Sequence, residues 1–189
     1  MNTGPQDSGF VEDYNAALIT RAVKADSVKV HGRYDVECYG PDGKLKWRDV
    51  IDNLVVNTGL DDYLTHEWKA SAWTSQHYVG LTAGTPTVAA ADTMASHGGW
   101  TEVTAYSAGT RPDLTAVLGA VSGQSVASSA IAFAINGTAT VGGAFICNNS
   151  TKGGSTGTLI SGGAFSQGNK SVNSGDTLNV TMTLTASGT

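Results

Sequence analysis

The sequence predicts an all-β protein, mainly antiparallel, with a β-sandwich or jelly-roll-like body, an N-terminal extended arm and one short helix. Three observations carry that prediction. Apolar and polar residues alternate with period two in several short runs, which is the strand signal. Glycine-bearing turns separate those runs at short intervals. Of 189 residues, 24 are Gly and only 4 are Pro, a composition of turns and small side chains.

Residues 1–27 read as an arm. MNTGPQDSG is polar with Gly and Pro, and DYNAALITRAVKADS has Ala16, Ala17, Ile19 and Val23 loosely on one side. Alone, such a stretch buries too little to be stable. It is either a disordered terminus or an arm that orders on a neighbouring subunit. The body spans 28–189, enough for one domain with a real core.

Residues 28–56 form a hairpin. Val30, Gly32, Tyr34, Val36 and Cys38 share one face of the first strand, and His31, Arg33, Asp35, Glu37 and Tyr39 share the other. Pro41-Asp42-Gly43 is the turn, because Pro presets φ and Gly accepts positive φ. LKWRDVIDNLVV returns as the partner strand.

Residues 57–72 read as a short helix. Asn57 or Thr58 is placed to cap it, with Asp61 and Asp62 in its first turn, where the helix dipole favours negative charge. Leu60, Leu64 and Trp68 share a face at i, i+4 and i+8, which predicts packing on the sheet.

The stretch 77–113 organises the chain. Tyr78, Val79 and Leu81 begin a strand, Gly84 to Ala95 form an ordered loop, and Met94 and Trp100 anchor it. Thr101–Tyr106 alternates again as a strand. Further strands are predicted at 116–121, 130–135, 138–147, 157–160 and 177–185, with turns at Asn136-Gly137, Gly153-Gly154, Gly162-Gly163 and Ser174-Gly175. Lys152, Lys170 and Asp176 are the three charged side chains after residue 113. The predicted solvent faces carry Thr, Ser and Asn, and so lack the edge charges that block strand pairing between chains.

Net charge is −5 with 14% charged residues, and no basic stripe suits nucleic acid. No apolar run is long enough to span a bilayer. The first residues lack a basic start and an apolar centre, so no signal peptide is read there and a cytosol-like compartment is expected. Cys38 and Cys147 lie in separate apolar strands and read as two buried free thiols, with one bridge between strands as the alternative.

The chemistry-bearing residues do not assemble a catalytic pattern. Asp61, Asp62 and Glu102 are the carboxylate candidates, read as capping and surface groups. His31, His66, His77 and His97 lack the HxH or HxxxH spacing of a metal site. Asp92, Ser96 and His97 hold the residue types of a triad, but in one loop rather than on converging elements. Gly153-Gly154 follows Lys152, whereas a phosphate loop needs the lysine after the glycines. Arg111-Pro112 reads as a strand exit and an ion-pair site. No cofactor is expected and no enzyme activity is read.

One set of residues carries a resemblance. It comprises NLVVNTGL at 53–60, YVGL at 78–81, ADTMASH at 91–97 with Trp100-Thr101-Glu102, and Tyr106-Ser107 with Arg111-Pro112. It continues with GGAF at 142–145, Ser150-Thr151-Lys152 with Gly157-Thr158-Leu159, and GDTL at 175–178. This set resembles a group of phage and prophage proteins encoded among virion structural genes, over roughly residues 29–186. The resemblance implies a virion component. Among tailed-phage parts of this size it is most similar to capsid cement or decoration proteins, sandwich or jelly-roll modules that sit on the shell as dimers or trimers.

The expected partners are therefore the major capsid protein and further copies of the chain, with no nucleic acid and no membrane, on the outside of a capsid. The arm and the hairpin tip are the candidate contacts: Phe10 and Tyr14 in the arm, Pro41, Asp42 and Lys44 at the tip, and Arg33 and Arg48 on the charged hairpin face, which would set register electrostatically. A tail, adaptor or fibre-associated part is the alternative. So is a carbohydrate-binding module using Trp47, Trp68, Trp73 and Trp100.

Overall fold

The computed structural model describes residues 27–69 and 76–188. The body is β-sandwich-like and every strand pairing is antiparallel. Strand β1 (Val28–Tyr39) lies between β2 (Leu45–Val55) and β11 (Thr177–Gly188), paired along its whole length with β11. The period-two reading holds here: Gly32, Tyr34, Val36 and Cys38 are buried while His31 and Arg33 face solvent. The far edge of β11 carries β6 (Ile131–Ala134) and β5 (Ser125–Ala127) in succession.

The other half contains β4 (Thr101–Val103), β3 (Tyr78–Ala83), β8 (Gly143–Cys147) and β9 (Leu159–Ala164), in that spatial order. The last residues of β2, Leu54 and Val55, pair with Gly162 and Ser161 of β9 and join the halves. A small separate pair, β7 (Ala139–Val141) with β10 (Lys170–Val172), completes the body. The main core lies between the halves. Tyr34, Val36, Ile51, Leu178, Val180 and Met182 meet Val79, Leu81, Ala144 and Ile146 there.

A second cluster holds Val56, Met94, Trp100, Phe145, Cys147 and Leu159. Strand β8 explains it. Ala144 and Ile146 serve the main core, and Phe145 and Cys147 serve the second cluster, so all five β8 residues are buried. The loop 84–100 covers that outer face through Met94 and Trp100, as their sequence context predicts. Both thiols are free and buried, which settles the open choice between thiols and a bridge.

Several expectations are corrected. Residues 116–121 are not a strand: Thr115–Val117 is a 3₁₀ turn, and Leu118 makes one bridge to Ser128. The run 138–147 is split at Gly142 into β7 and β8, which pair with different neighbours. Strand β4 stops at Val103, and Tyr106 makes an isolated bridge to Ile135. Gly162-Gly163 is strand interior rather than a turn. A Cβ at Gly163 would come within 2.5 Å of the Ile51 side chain, so glycine lets the two halves close up.

Helix α1 (Asn57–Lys69) forms where it is predicted, and residues 70–72 lie outside the described residues. Its docking differs from expectation. Helix residues begin at Asn57, so Asp61 and Asp62 fall beyond the first turn. Thr58 does not cap the helix; its hydroxyl donates to Leu159 O at 2.7 Å. Gly59 is the one buried residue, and a Cβ there would collide with the carbonyl of Ile160. The helix therefore approaches β9 through a bare backbone patch.

Candidate interaction surface

The Leu60, Leu64 and Trp68 stripe does not pack on the sheet. Leu60 is 40% exposed, Leu64 53%, Trp68 81%, and neighbouring Tyr63 45%. The close approach at Gly59 turns the helix so that this face points outward. Spacing shows which helical residues share a face, but not which face the body receives.

Between α1 and the mouth of the sandwich runs an apolar groove of about 260 Å³. Val30, Leu60, Leu114, Leu118 and Leu184 are among its walls, and Asp62, Glu67, His66 and His77 supply its polar lining. The Asp62 carboxylate stands 3.3 Å from His66 Nδ1 and 3.8 Å from His77 Nε2. Burial holds the pKa of His77 below the usual imidazole range, against the attraction of Asp62. A groove with apolar walls and a few convergent polar groups is the usual build of a binding site.

The contact residues predicted from sequence fall in two places. Phe10 and Tyr14 lie outside the described residues. Pro41, Asp42 and Lys44 form the exposed hairpin tip, with Lys44 Nζ 3.4 Å from Asp42. Arg33 and Arg48 share a hollow on the charged hairpin face with Asp35, Glu37 and Asp49. Arg33 donates to Asp35 at 2.9 Å. Glu37, the β1 residue of the hollow nearest the turn, stands four positions before Pro41, roughly 13 Å of extended chain, so tip and hollow are separate patches.

The other singled-out residues hold the fold. Asp92 accepts the Ala89 N–H at 2.9 Å and the Ser96 N–H donates to Thr93 Oγ1 at 3.0 Å, while His97 stacks on Trp100 with centroids 3.7 Å apart. That is loop scaffolding, not a triad. Among the described residues, no group of three His, Cys, Asp or Glu side chains is arranged to hold a metal. Of the tryptophans, Trp100 is buried, Trp47 packs edge-on against Phe165 and donates to Ser171 O, and Trp73 lies outside the described residues. Only Trp68 of the described three presents its ring to solvent.

Glu102 and Arg111 form the ion pair expected of Arg111, but it is buried, so the surface reading of Glu102 is corrected. Burial alone would lower the pKa of Arg111. The hydrogen bond and charge of Glu102 outweigh that and raise it.

Sequence reasoning missed what the three late charges do. Lys152 Nζ donates to Tyr106 O and Ala108 O at 3.0 and 2.6 Å. Lys170 Nζ lies 3.4 Å from buried Asp49, and Asp176 accepts from Lys46 at 2.6 Å. Each fastens one element to another. Their rarity in a nearly uncharged half of the chain was the available signal, since a charge is costly to bury unpaired.

No family model matches the chain, and no curated protein matches it.

Proposed function

We propose that this chain is a structural virion protein that binds the outside of a tailed-phage capsid and stabilises it. The observation that supports this reading is the outward apolar face of α1. Leu64 and Trp68 stand in solvent on a helix anchored to a stiff sandwich at Gly59 and Thr58. Exposed apolar residues on a rigid element are what an adhesive surface needs, because burying them on a partner gains hydrophobic free energy at little ordering cost. The exposed tip at Pro41, Asp42 and Lys44 offers a second contact.

In this reading the partner is the major capsid protein, and copies of the chain associate as a dimer or trimer. Many weak attachments add up through mass action and avidity, and they favour the intact shell over its ruptured state. The function is adhesion, without bond-making.

Binding to empty expanded shells tests the proposal. Wild-type protein is expected to saturate the lattice at a copy number comparable with the capsid protein, and Leu64→Asp with Trp68→Asp is expected to abolish binding. A few copies per particle, confined to the tail, would instead place the chain among tail or adaptor parts. Undiminished shell binding by the double variant would remove α1 from the contact.

A further inference from the structure

The groove beside α1 is open and largely apolar, and three observations point to an occupant within the chain itself. The first is position. The described residues begin at Ser27, β1 starts at Val28, and Val30 already lines the groove. The preceding residues therefore join the body at the groove's edge. Helix α1 follows β2, the antiparallel partner of β1, so it stands at that same end.

The second is pattern. Phe10, Tyr14 and Leu18 fall at i, i+4 and i+8, with Val11 and Ile19 beside them. That is an apolar helical stripe. A helix over residues 10–23 is about 21 Å long at 1.5 Å per residue. The third is the placement of charge. Asp62 and Glu67 line the groove. Arg21 stands in the last turn of the segment with Lys24 just beyond it, whereas Glu12 and Asp13 lie at its far end and Asp26 in the link to the body.

We propose that residues 10–23 of the same molecule dock in the groove between α1 and the mouth of the sandwich, with Phe10, Tyr14 and Leu18 turned toward its walls. The arm is thereby assigned to its own body in the free protein rather than to a shell. Covalent linkage favours this docking energetically. A short tether holds the segment at an effective concentration on the order of millimolar, so even weak docking is populated. Too little apolar surface lies on the segment alone for a stable helix, and the groove supplies the missing half. Leu64 and Trp68 are not among the groove residues and stay outward.

Hydrogen exchange on the full chain tests the docking. Tyr14→Asp together with Leu18→Asp is expected to speed exchange of the α1 amides from Leu60 to Trp68 about tenfold, because local opening reports the free energy holding that element. Amides of the β1–β11 ladder are expected to keep their rates, and the α1 rates are expected not to change with protein concentration. A second measurement does not depend on disruptive variants. Leu18→Cys with Leu60→Cys is expected to form an intramolecular disulfide under mild oxidation. Unchanged α1 exchange in the Asp double variant overturns the proposal. So does bridging that occurs only between molecules, or α1 protection that grows with concentration, either of which would put a second copy in the groove. Both measurements use the free protein, so their outcome is separate from shell binding.

Discussion

The Arg111 guanidinium grips both oxygens of Glu102, Nε to Oε1 at 3.0 Å and Nη2 to Oε2 at 2.7 Å. Its remaining hydrogens reach Asn149 O at 2.8 Å, Gly154 O at 2.6 Å and Cys147 Sγ at 3.2 Å. One side chain thus ties β4, the end of β8 and the 150–157 loop together. Removing one partner leaves a buried charge uncompensated. Glu102→Gln and Arg111→Met are each expected to cost about 3–5 kcal/mol in denaturant unfolding. The joint change to apolar residues of similar size is expected to recover part of that loss, measured as a double-mutant cycle.

Gly59 sets the seat of α1. Gly59→Ala places a methyl group against the Ile160 carbonyl, and backbone has little room to yield. The helix is expected to lift away from β9 at a cost of about 1–3 kcal/mol, the usual penalty for overpacking. Faster exchange of α1 amides, with the β1–β11 ladder unchanged, is the signature to look for. Equal stability and exchange would mean that the helix is not seated by this contact.

Tyr34 bridges the two halves of the sandwich. Its hydroxyl lies 2.8 Å from Ser161 Oγ and accepts from Asn53 Nδ2 at 2.9 Å. Burial pushes its pKa up to about 12, against those two hydrogen bonds. Tyr34→Phe is expected to lose about 1–3 kcal/mol, because Ser161 and Asn53 are left buried with fewer partners. A thermal midpoint equal to wild type would refute this.

Acid is expected to weaken the fold in two stages. Burial raises the Asp49 carboxyl, but hydrogen bonds from Ser166, the Val50 N–H and Lys170 bring it below its ordinary value. Asp176 is likewise raised by burial and brought lower overall by Lys46 and the Asn173 N–H. Both groups release protons more readily folded than unfolded. Their stabilisation is therefore complete above about pH 3.9 and is lost as pH falls through the folded values. Burial also lowers His77 and His97. The unfolded chain then takes up those protons first, so stability begins to decline below about pH 6.5. Urea midpoints between pH 3 and 8 should show a shallow decline followed by a steep one. A flat profile down to pH 4 would contradict the histidine part.

Leu64→Asp and Trp68→Asp should leave stability within about ±0.5 kcal/mol, since neither side chain is packed in the body. Solubility should rise. A large loss of stability would show that the helix face is covered within the fold.

The β1–β2 hairpin and β11 were legible because one face of each is buried, which imprints alternation on the residues. Strand β8 was visible only as an apolar run: Phe145 and Cys147 are as buried as Ala144 and Ile146, so no period survives and the break at Gly142 is hidden. Strands β5 and β10 span three residues each, too short for any pattern to stand out. For α1 the position could be read but not the rotation. The residue that fixes the rotation is Gly59, whose missing side chain carries no hydrophobic signal. The same holds for the candidate surface. Pro41, Asp42 and Lys44 are where the turn puts them, whereas the groove joins residues from distant parts of the chain and has no linear signature.

The two thiols have a further consequence. Cys38 is fully buried and its pKa is pushed up to about 11, chiefly by burial, and Cys147 is raised for the same leading reason. Sulfur in that form is a poor nucleophile and a poor target for oxidants. The body should then keep its covalent structure in reducing and in aerated buffer alike, and neither dithiothreitol nor air should change how long it lasts.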